Sequence, residues 1–437
     1  MKITFVGAGS TVFAKNVLGD VLLTPAIRDC EIALYDIDSE RLEESFAVID
    51  ALNKKYNQNN AQIDKFLGIE NRKAALKNAD FIINAVQIGL YDPCTILDFE
   101  IPKKYGLNQT IGDTLGVGGI FRGLRTIVFL KGLAKDIEEV CPDAWLLNYT
   151  NPMAIVTGFM QRYTKVKTIG LCHSVQVCSS RLLKALEIDA QVGSELIAGI
   201  NHMGWLLEIK DKNGNDLYPE IKARAKAKNA TEIHKDMVRY DYIDKLGYYC
   251  TESSEHNAEY NCFYIKSKYP ELIEKFNIPL DEYPRRCILQ IERWQKQKEA
   301  LLNGGDIEHS RSHEYASRIM EAIVTNVPYK IGGNVLNTGL IENLPQDACV
   351  EVPCLVDGNG IHPTHVGRLP VQCAAMNMTN INVQLLTIEA AITGKKEHIY
   401  HAVMLDPHAS SELSIDDIIK MCDELYAAHE KAGYPIL

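Results

Sequence analysis

Short apolar runs alternate with longer amphipathic segments through the first 200 residues. The runs at residues 2–6, 31–35, 81–85, 145–147 and 168–171 have the length of buried strands, and residues 12–23, 40–54 and 121–139 repeat apolar positions at helical spacing. This alternation predicts β-α units with right-handed crossovers around a parallel sheet. After about residue 200 the pattern changes. A strand-like run at 205–210 precedes the hairpin signal Asn213-Gly214-Asn215, and helical patterns follow at 234–246, 283–302 and 312–324. Strand-like runs at 329–336 and 349–356 flank a turn-rich stretch, and the last 65 residues or so read as two or three helices ending with 414–432. No Pro-, Gly- or Ser-rich linker and no repeat interrupts the chain. The expected organisation is α/β, with an N-terminal doubly wound domain at 1–200 and a C-terminal α+β domain at 201–437 packed against it, the site lying between them.

The chain of 437 residues is long enough for two or three domains and for a sizeable core. Its formal charge of −11 makes nucleic acid an unfavourable partner and points to a small molecule. The start MKITFVGAG lacks the apolar region of a signal peptide and reads as the first strand of a cytoplasmic protein. Two uncharged stretches, 144–161 and 369–388, carry too many Asn and Gln residues to span a membrane. Twelve scattered cysteines without a CxxC pair are expected to be reduced thiols.

Gly7-Ala8-Gly9-Ser10-Thr11 follows the first strand and opens a helix, the position of a dinucleotide phosphate turn. The glycines let backbone approach a pyrophosphate, and the helix N-terminus offers free N–H groups. Asp36, ending the second strand, can accept from both hydroxyls of an adenosine ribose and disfavours a 2′-phosphate, so NAD is expected rather than NADP. Val12 stands where the third glycine of that fingerprint belongs. An ordinary strand–turn–helix would show the same GxGS, and Asp36 is what favours the Rossmann-like, nucleotide-binding reading.

Cys172 and His202 each follow an apolar run, at strand ends where α/β sheets place ligands. A thiolate and an imidazole can hold one divalent ion with positions left for substrate oxygens; equally, a buried Cys is an apolar filler and a His beside Asn a hydrogen-bonded one. His173 can be a helix cap. The turn at Asn148-Tyr149-Thr150-Asn151-Pro152 looks substrate-facing, an Asx turn before a Pro-started helix being the plain alternative.

GAGST near the start, DIDSERLEES at 36, QTIGDTLGVGG at 109–119, LNYTNPMA at 147, GLCHSVQ at 170, AGINHM at 198, TESSEH at 251 and NLPQDACVEVPCLVDGNGIHP at 343 together resemble glycoside hydrolase family 4. The CHSVQ and ESSEH wording is most similar to its melibiase-type α-galactosidases. The resemblance spans essentially the whole chain. It implies hydrolysis outside the paired-carboxylate scheme: NAD⁺ oxidises C3 of the sugar, a metal, typically Mn²⁺, stabilises an enolate, a base removes the C2 proton, the leaving group departs with acid assistance, water adds, and the hydride returns. By motif match the resemblance implies Cys172 and His202 as metal ligands and Asn151 as a sugar contact. His173 becomes the general acid, a role open to imidazole near neutral pH, and Asp113 the acidic neighbour of the base. The base is Tyr260 first and His256 second. Glu255 positions a sugar hydroxyl. Arg285 and Arg286 reach substrate or nucleotide, or are simply solvated at a helix start. A homodimer or homotetramer is implied as well.

The expected partner is thus a small α-galactoside of the melibiose or raffinose type. An α-galacturonidase or α-glucosidase would use the same chemistry. A lactate- or malate-type dehydrogenase would share the nucleotide turn but produce net NADH, and a non-catalytic NAD-binding regulator would not need Cys172.

Overall fold

β1 (Lys2–Val6) is buried because it sits in the middle of a sheet, paired in parallel on one side with β2 (Glu31–Asp36), itself followed by β3 (Gln62–Leu67), and on the other with β4 (Phe81–Asn84). β5 (Trp145–Asn148) and β6 (Lys167–Gly170) extend this half outwards, still parallel. The order β3-β2-β1-β4-β5-β6 reverses direction at β1, which opens a crevice beyond the strands' C-terminal ends. The computed structural model describes residues 1–302 and 307–437.

Six further strands join the same sheet: β7 (Val192–Ile200), β8 (Met203–Asp211), β9 (Tyr249–Cys250), β10 (Tyr329–Leu336), β11 (Cys349–Asp357) and β12 (Gly360–Pro363). These pair antiparallel. A single Asn334–Gly170 pair joins β10 to β6, and a Glu351–Gly199 pair joins β11 to β7. The α/β reading of the fold therefore holds, with one twelve-stranded sheet running through both halves. β7 and β8 form a tight hairpin, so a division at residue 200 would cut it at its turn.

Helices cover the parallel half. Thr11–Leu22 follows β1, Ser39–Asn57 follows β2 with Asp38 capping its first turn at the Arg41 N–H, and Gly116–Val140 precedes β5. The C-terminal region holds four helices, Val371–Thr393, Glu397–Met404, Pro407–Glu412 and Ile415–Lys431, where two or three were expected. A short Pro-started turn of helix at Asp406-Pro407 explains the extra element. The polar residues of Val371–Thr393 are used inside the protein. Asn377 Nδ2 donates to the Met203 carbonyl (2.9 Å) and Asn380 Nδ2 to the Tyr260 carbonyl (3.1 Å). Among the described residues no helix is long and apolar enough to cross a membrane. All twelve cysteines are free thiols.

Candidate active site

The turn after β1 is built for close backbone approach. Gly7 has φ +90°, and a Cβ there would stand 2.9 Å from the Ala85 carbonyl group. The Gly7 and Ala8 N–H groups both donate to the Tyr35 carbonyl at 3.0 Å, pinning the turn to β2. Asp36 Oδ2 accepts from the Gly9 N–H (2.6 Å) and Oδ1 from the Ile37 and Asp38 N–H groups (2.8 and 3.0 Å). Oδ2, which accepts only one of these, keeps a further lone pair for a ribose hydroxyl. Ile37, directly after this carboxylate in the chain, is 71% exposed and offers apolar surface of the kind that a flat base covers.

Ser10 makes no capping bond with its own side chain and stays available at the helix start. Thr11 does not: it is buried with its hydroxyl on Ser45 (2.9 Å), whose own oxygen donates to the Ala8 carbonyl, so its side chain is structural and only its backbone faces the turn. Val12 is tolerated in place of glycine because it points outward, into a cleft of about 560 Å³ bounded by Arg285, Arg286, Arg293 and Trp294 on the helix Glu282–Leu302. Glycines and carboxylate thus fit a dinucleotide. Asp36→Ala is expected to weaken NAD binding roughly ten- to a hundredfold, the worth of one or two charged hydrogen bonds, with the melting temperature little changed; calorimetric titration checks it.

Cys172 follows β6 and His202 occupies the β7–β8 turn, and the structure brings them together with Glu252, which follows β9. One donor atom from each of the three lies within 4.8 Å of the other two, and all three residues are largely shielded from water. His202 and Glu252 both have left-handed backbone, φ +64° and +66°, a costly conformation for residues with side chains that concentrates at functional sites. Thr251 N–H donates to the Gly204 carbonyl (2.8 Å) and Gly204 N–H to Thr251 Oγ1 (3.0 Å), so the two turns are zipped together. Arg239 donates to the Glu252 carbonyl and, through Nε, to Asp236 (2.5 Å). Burial pushes the His202 pKa down to about 4, leaving a neutral imidazole with a lone pair to give. Burial, reinforced by Glu351 and Glu252, raises the Cys172 thiol, which only a nearby cation would offset. Thiol, imidazole and carboxylate are together a donor set for a divalent first-row metal.

Around this cluster the helix Ser254–Glu259 carries His256 and Glu259. His256 Nε2 is 3.7 Å from Asp113 and Nδ1 3.0 Å from Ser253 Oγ. Burial opposes charge on this ring, but Asp113 and Glu252 outweigh it and raise the pKa to about 9. Glu259 gathers the N–H groups of Thr110 and Gly112 (2.8 Å each) and of Ile111, which fixes the loop that presents Asp113. Tyr260 is fully buried with its hydroxyl 3.1 Å from His202 Nδ1, and burial pushes its pKa well above 10. From there it orients the imidazole, as an outer-shell partner does. His173 lies exposed at the start of the helix His173–Ala185.

Glu255 and Arg286 are paired with each other, and Arg286 Nε also donates to Glu282 (2.8 Å), which holds Arg285 as well. Arg286 therefore spends its charge within the protein. Among the described residues Asn151 Oδ1 is buried without a partner, and so is one oxygen of Glu314. Such orphaned groups are what a bound ligand satisfies.

Four contributions were not anticipated: Glu252, Glu259, Glu351 and the segment before Ala316–Thr325. Glu351 is buried on β11, where Asn334 donates to it (2.9 Å) and burial raises its pKa to about 8. In that segment His309 and Ser312 bond Asp20 on the first helix, and the Tyr315 hydroxyl donates to the Cys172 carbonyl (3.0 Å). For Glu252 a signal existed, since it stands inside the polar run TESSEH directly after an apolar stretch.

Residues 2–188 match the model of family 4 glycosyl hydrolases, and residues 197–409 that of the family's C-terminal domain. An α-galactosidase of Bacillus subtilis (strain 168) is 61% identical over 98% of each chain. An α-galactosidase of Rhizobium meliloti (strain 1021) is 33% identical over 98% of this chain and 88% of its own. The fold is shared by a 6-phospho-α-glucosidase from gut microorganisms, solved with NAD and Mn²⁺, at a TM-score of 0.80 and 22% identity over 99% of both chains.

Proposed function

The chain belongs to glycosyl hydrolase family 4, and on that footing we propose that it is an NAD- and divalent-metal-dependent α-galactosidase acting on small terminal α-galactosides of the melibiose or raffinose type. The observation that carries the reading is the buried donor set of Cys172, His202 and Glu252, Cys172 following its strand at the same C-terminal end of the parallel half as the turn at Gly7–Ser10 and the orphaned Asn151.

When bound, NAD⁺ and the ion supply a reversible oxidation at sugar C3 and electrostatic stabilisation of the charge that develops once C2 is deprotonated. The residues do the rest. The turn at Gly7–Ser10 and Asp36 hold the nucleotide, and Asn151 accepts a hydrogen bond from a sugar hydroxyl. Cys172 and His202 hold the ion, with Tyr260 fixing the ring of His202. For the C2 proton the support favours His256 over Tyr260, whose hydroxyl is already engaged on His202; Asp113 and Glu252 keep the His256 ring protonated at neutral pH, so the positive charge of a bound ion nearby would have to displace that proton before the ring accepts another. His173, on the solvent side, protonates the departing oxygen. Glu255 tethers Arg286 and leaves it no free charge for an anion.

That last point favours a neutral galactoside over a galacturonide. Arg285 and Arg286 are committed to Glu282 and Glu255. A uronate would find neither Arg285 nor Arg286 without a carboxylate partner. The parallel half, within residues 1–200, is assigned to nucleotide binding and 201–437 to substrate and assembly, with Asn151, Cys172 and His173 reaching from the first into the sugar and metal site. A homodimer or homotetramer in the cytoplasm completes the proposal.

The test is release of nitrophenol from aryl α-galactoside, α-glucoside and α-galacturonide, with and without NAD⁺, Mn²⁺ and a thiol reductant. Hydrolysis of the galactoside that needs all three additions and accumulates no NADH is expected. Hydrolysis of another sugar would replace the substrate, and net NADH from a hydroxy acid without glycoside cleavage would overturn the reading.

A further inference from the structure

A thiolate and an imidazole alone make a weak site that a substrate would have to complete. The structure adds a third donor. Glu252 Oε2 is 3.5 Å from His202 Nε2 and Glu252 Oε1 is 3.8 Å from His256 Nδ1, both longer than a good hydrogen bond. The carboxylate is therefore set between two rings and tightly bonded by neither. One of its oxygens shares a 4.8 Å sphere of separations with Cys172 Sγ and a His202 nitrogen. Ligand bonds of about 2.0–2.3 Å bring donors of one ion to roughly 3–4.5 Å from each other, which small side-chain rotations achieve from here.

The backbone supports the same role. Glu252 is held in left-handed conformation by the Arg239 bond to its carbonyl and by the Thr251–Gly204 zipper to the turn of His202. A mere counterion for His202 would not need a strained residue braced against the very turn that carries that histidine.

Resting on the metal-dependent reading above, we propose that Glu252 is a third protein ligand of the divalent ion, so that the metal is held before the sugar arrives. Three protein donors on one side leave the opposite positions for two oxygens of the substrate, as in other three-ligand catalytic sites. The order of assembly follows: ion first, sugar second.

The test uses the full chain, stripped of metal with a chelator under reductant, titrated with Mn²⁺ in the absence of sugar and NAD⁺, free Mn²⁺ being read by electron paramagnetic resonance. The wild type is expected to bind one ion, Glu252→Gln to weaken binding at least about tenfold, and Glu252→Asp to fall between. Thermal melting and NAD titration check that each variant is folded; should Glu252→Gln not fold, Glu252→Asp alone decides by its shift in Mn²⁺ affinity. Wild-type affinity in the folded Glu252 variants, beside a loss in Cys172→Ser, would overturn the third ligand and leave the metal site standing. Unchanged affinity in Cys172→Ser as well would overturn both.

Discussion

Cys172→Ser is expected to lower turnover of an aryl α-galactoside by about 10³-fold or more while NAD still binds, a loss of roughly 4 kcal/mol of transition-state stabilisation. The substitution keeps the shape of the side chain and changes one property. A cysteine thiol beside a cation becomes a thiolate that gives charge to the metal, whereas a serine hydroxyl stays neutral and leaves the ion with less charge and a poorer hold. Ser174 Oγ, 3.0 Å from the sulfur, remains to bond the new hydroxyl, so the fold tolerates the exchange. The measurement is kcat at saturating Mn²⁺ and NAD⁺, with calorimetric NAD binding as the control. Turnover within threefold of wild type would remove Cys172 from the reaction.

Arg125→Met is expected to cost about 3–5 kcal/mol of stability, because it strands a buried carboxylate. Asp98 accepts two bonds from Arg125 (3.2 and 2.7 Å) and one from His429 (2.9 Å), and Arg125 also donates to the Ile88 carbonyl (3.0 Å). Burial works against the Asp98 charge, yet Arg125 and His429 outweigh it and hold its pKa below the usual carboxylate value. The sign follows. A depressed folded pKa contributes stability that is fully present above the unfolded value near 3.9 and is lost as pH falls through the folded pKa. Wild-type stability should thus owe no pH dependence to Asp98 from neutrality down to about pH 5. With Arg125 gone the carboxylate protonates more readily, and acid sensitivity should begin at higher pH. Denaturant unfolding of both proteins between pH 4 and 8 checks magnitude and direction; equal stabilities at pH 7 would show the triad to be dispensable.

Why some features were legible in the chain and others not has physical reasons. β1, β2, β4 and β5 are buried on both faces, so their apolar runs are nearly continuous. β3, an edge strand of sequence QIDKFL with mostly exposed side chains, has no such run and went unread. Cys172 and His202 stood out because polar, metal-competent residues follow apolar strands directly. Glu252 follows a strand of only two residues, and the backbone that aims it is left-handed without a glycine to mark it. Tyr260 stands as a candidate base only through the resemblance, and the partner of its hydroxyl, His202, lies 58 positions away. The Asp98–Arg125–His429 triad joins residues up to 331 positions apart, a closeness that only the completed fold creates.

The asparagines of the helix Val371–Thr393 impose a timetable on biosynthesis. Asn377 grips the carbonyl of Met203, next to His202, and Asn380 that of Tyr260. A nascent chain leaves the ribosome from its N-terminus, and its domains fold as they emerge. The nucleotide-binding turn can therefore form early, whereas the strands bearing the donor cluster wait for a brace encoded some 120 to 175 positions downstream of the carbonyls it grips. Metal loading is in this sense a late event in the life of each molecule, one that follows the emergence of the helix Val371–Thr393.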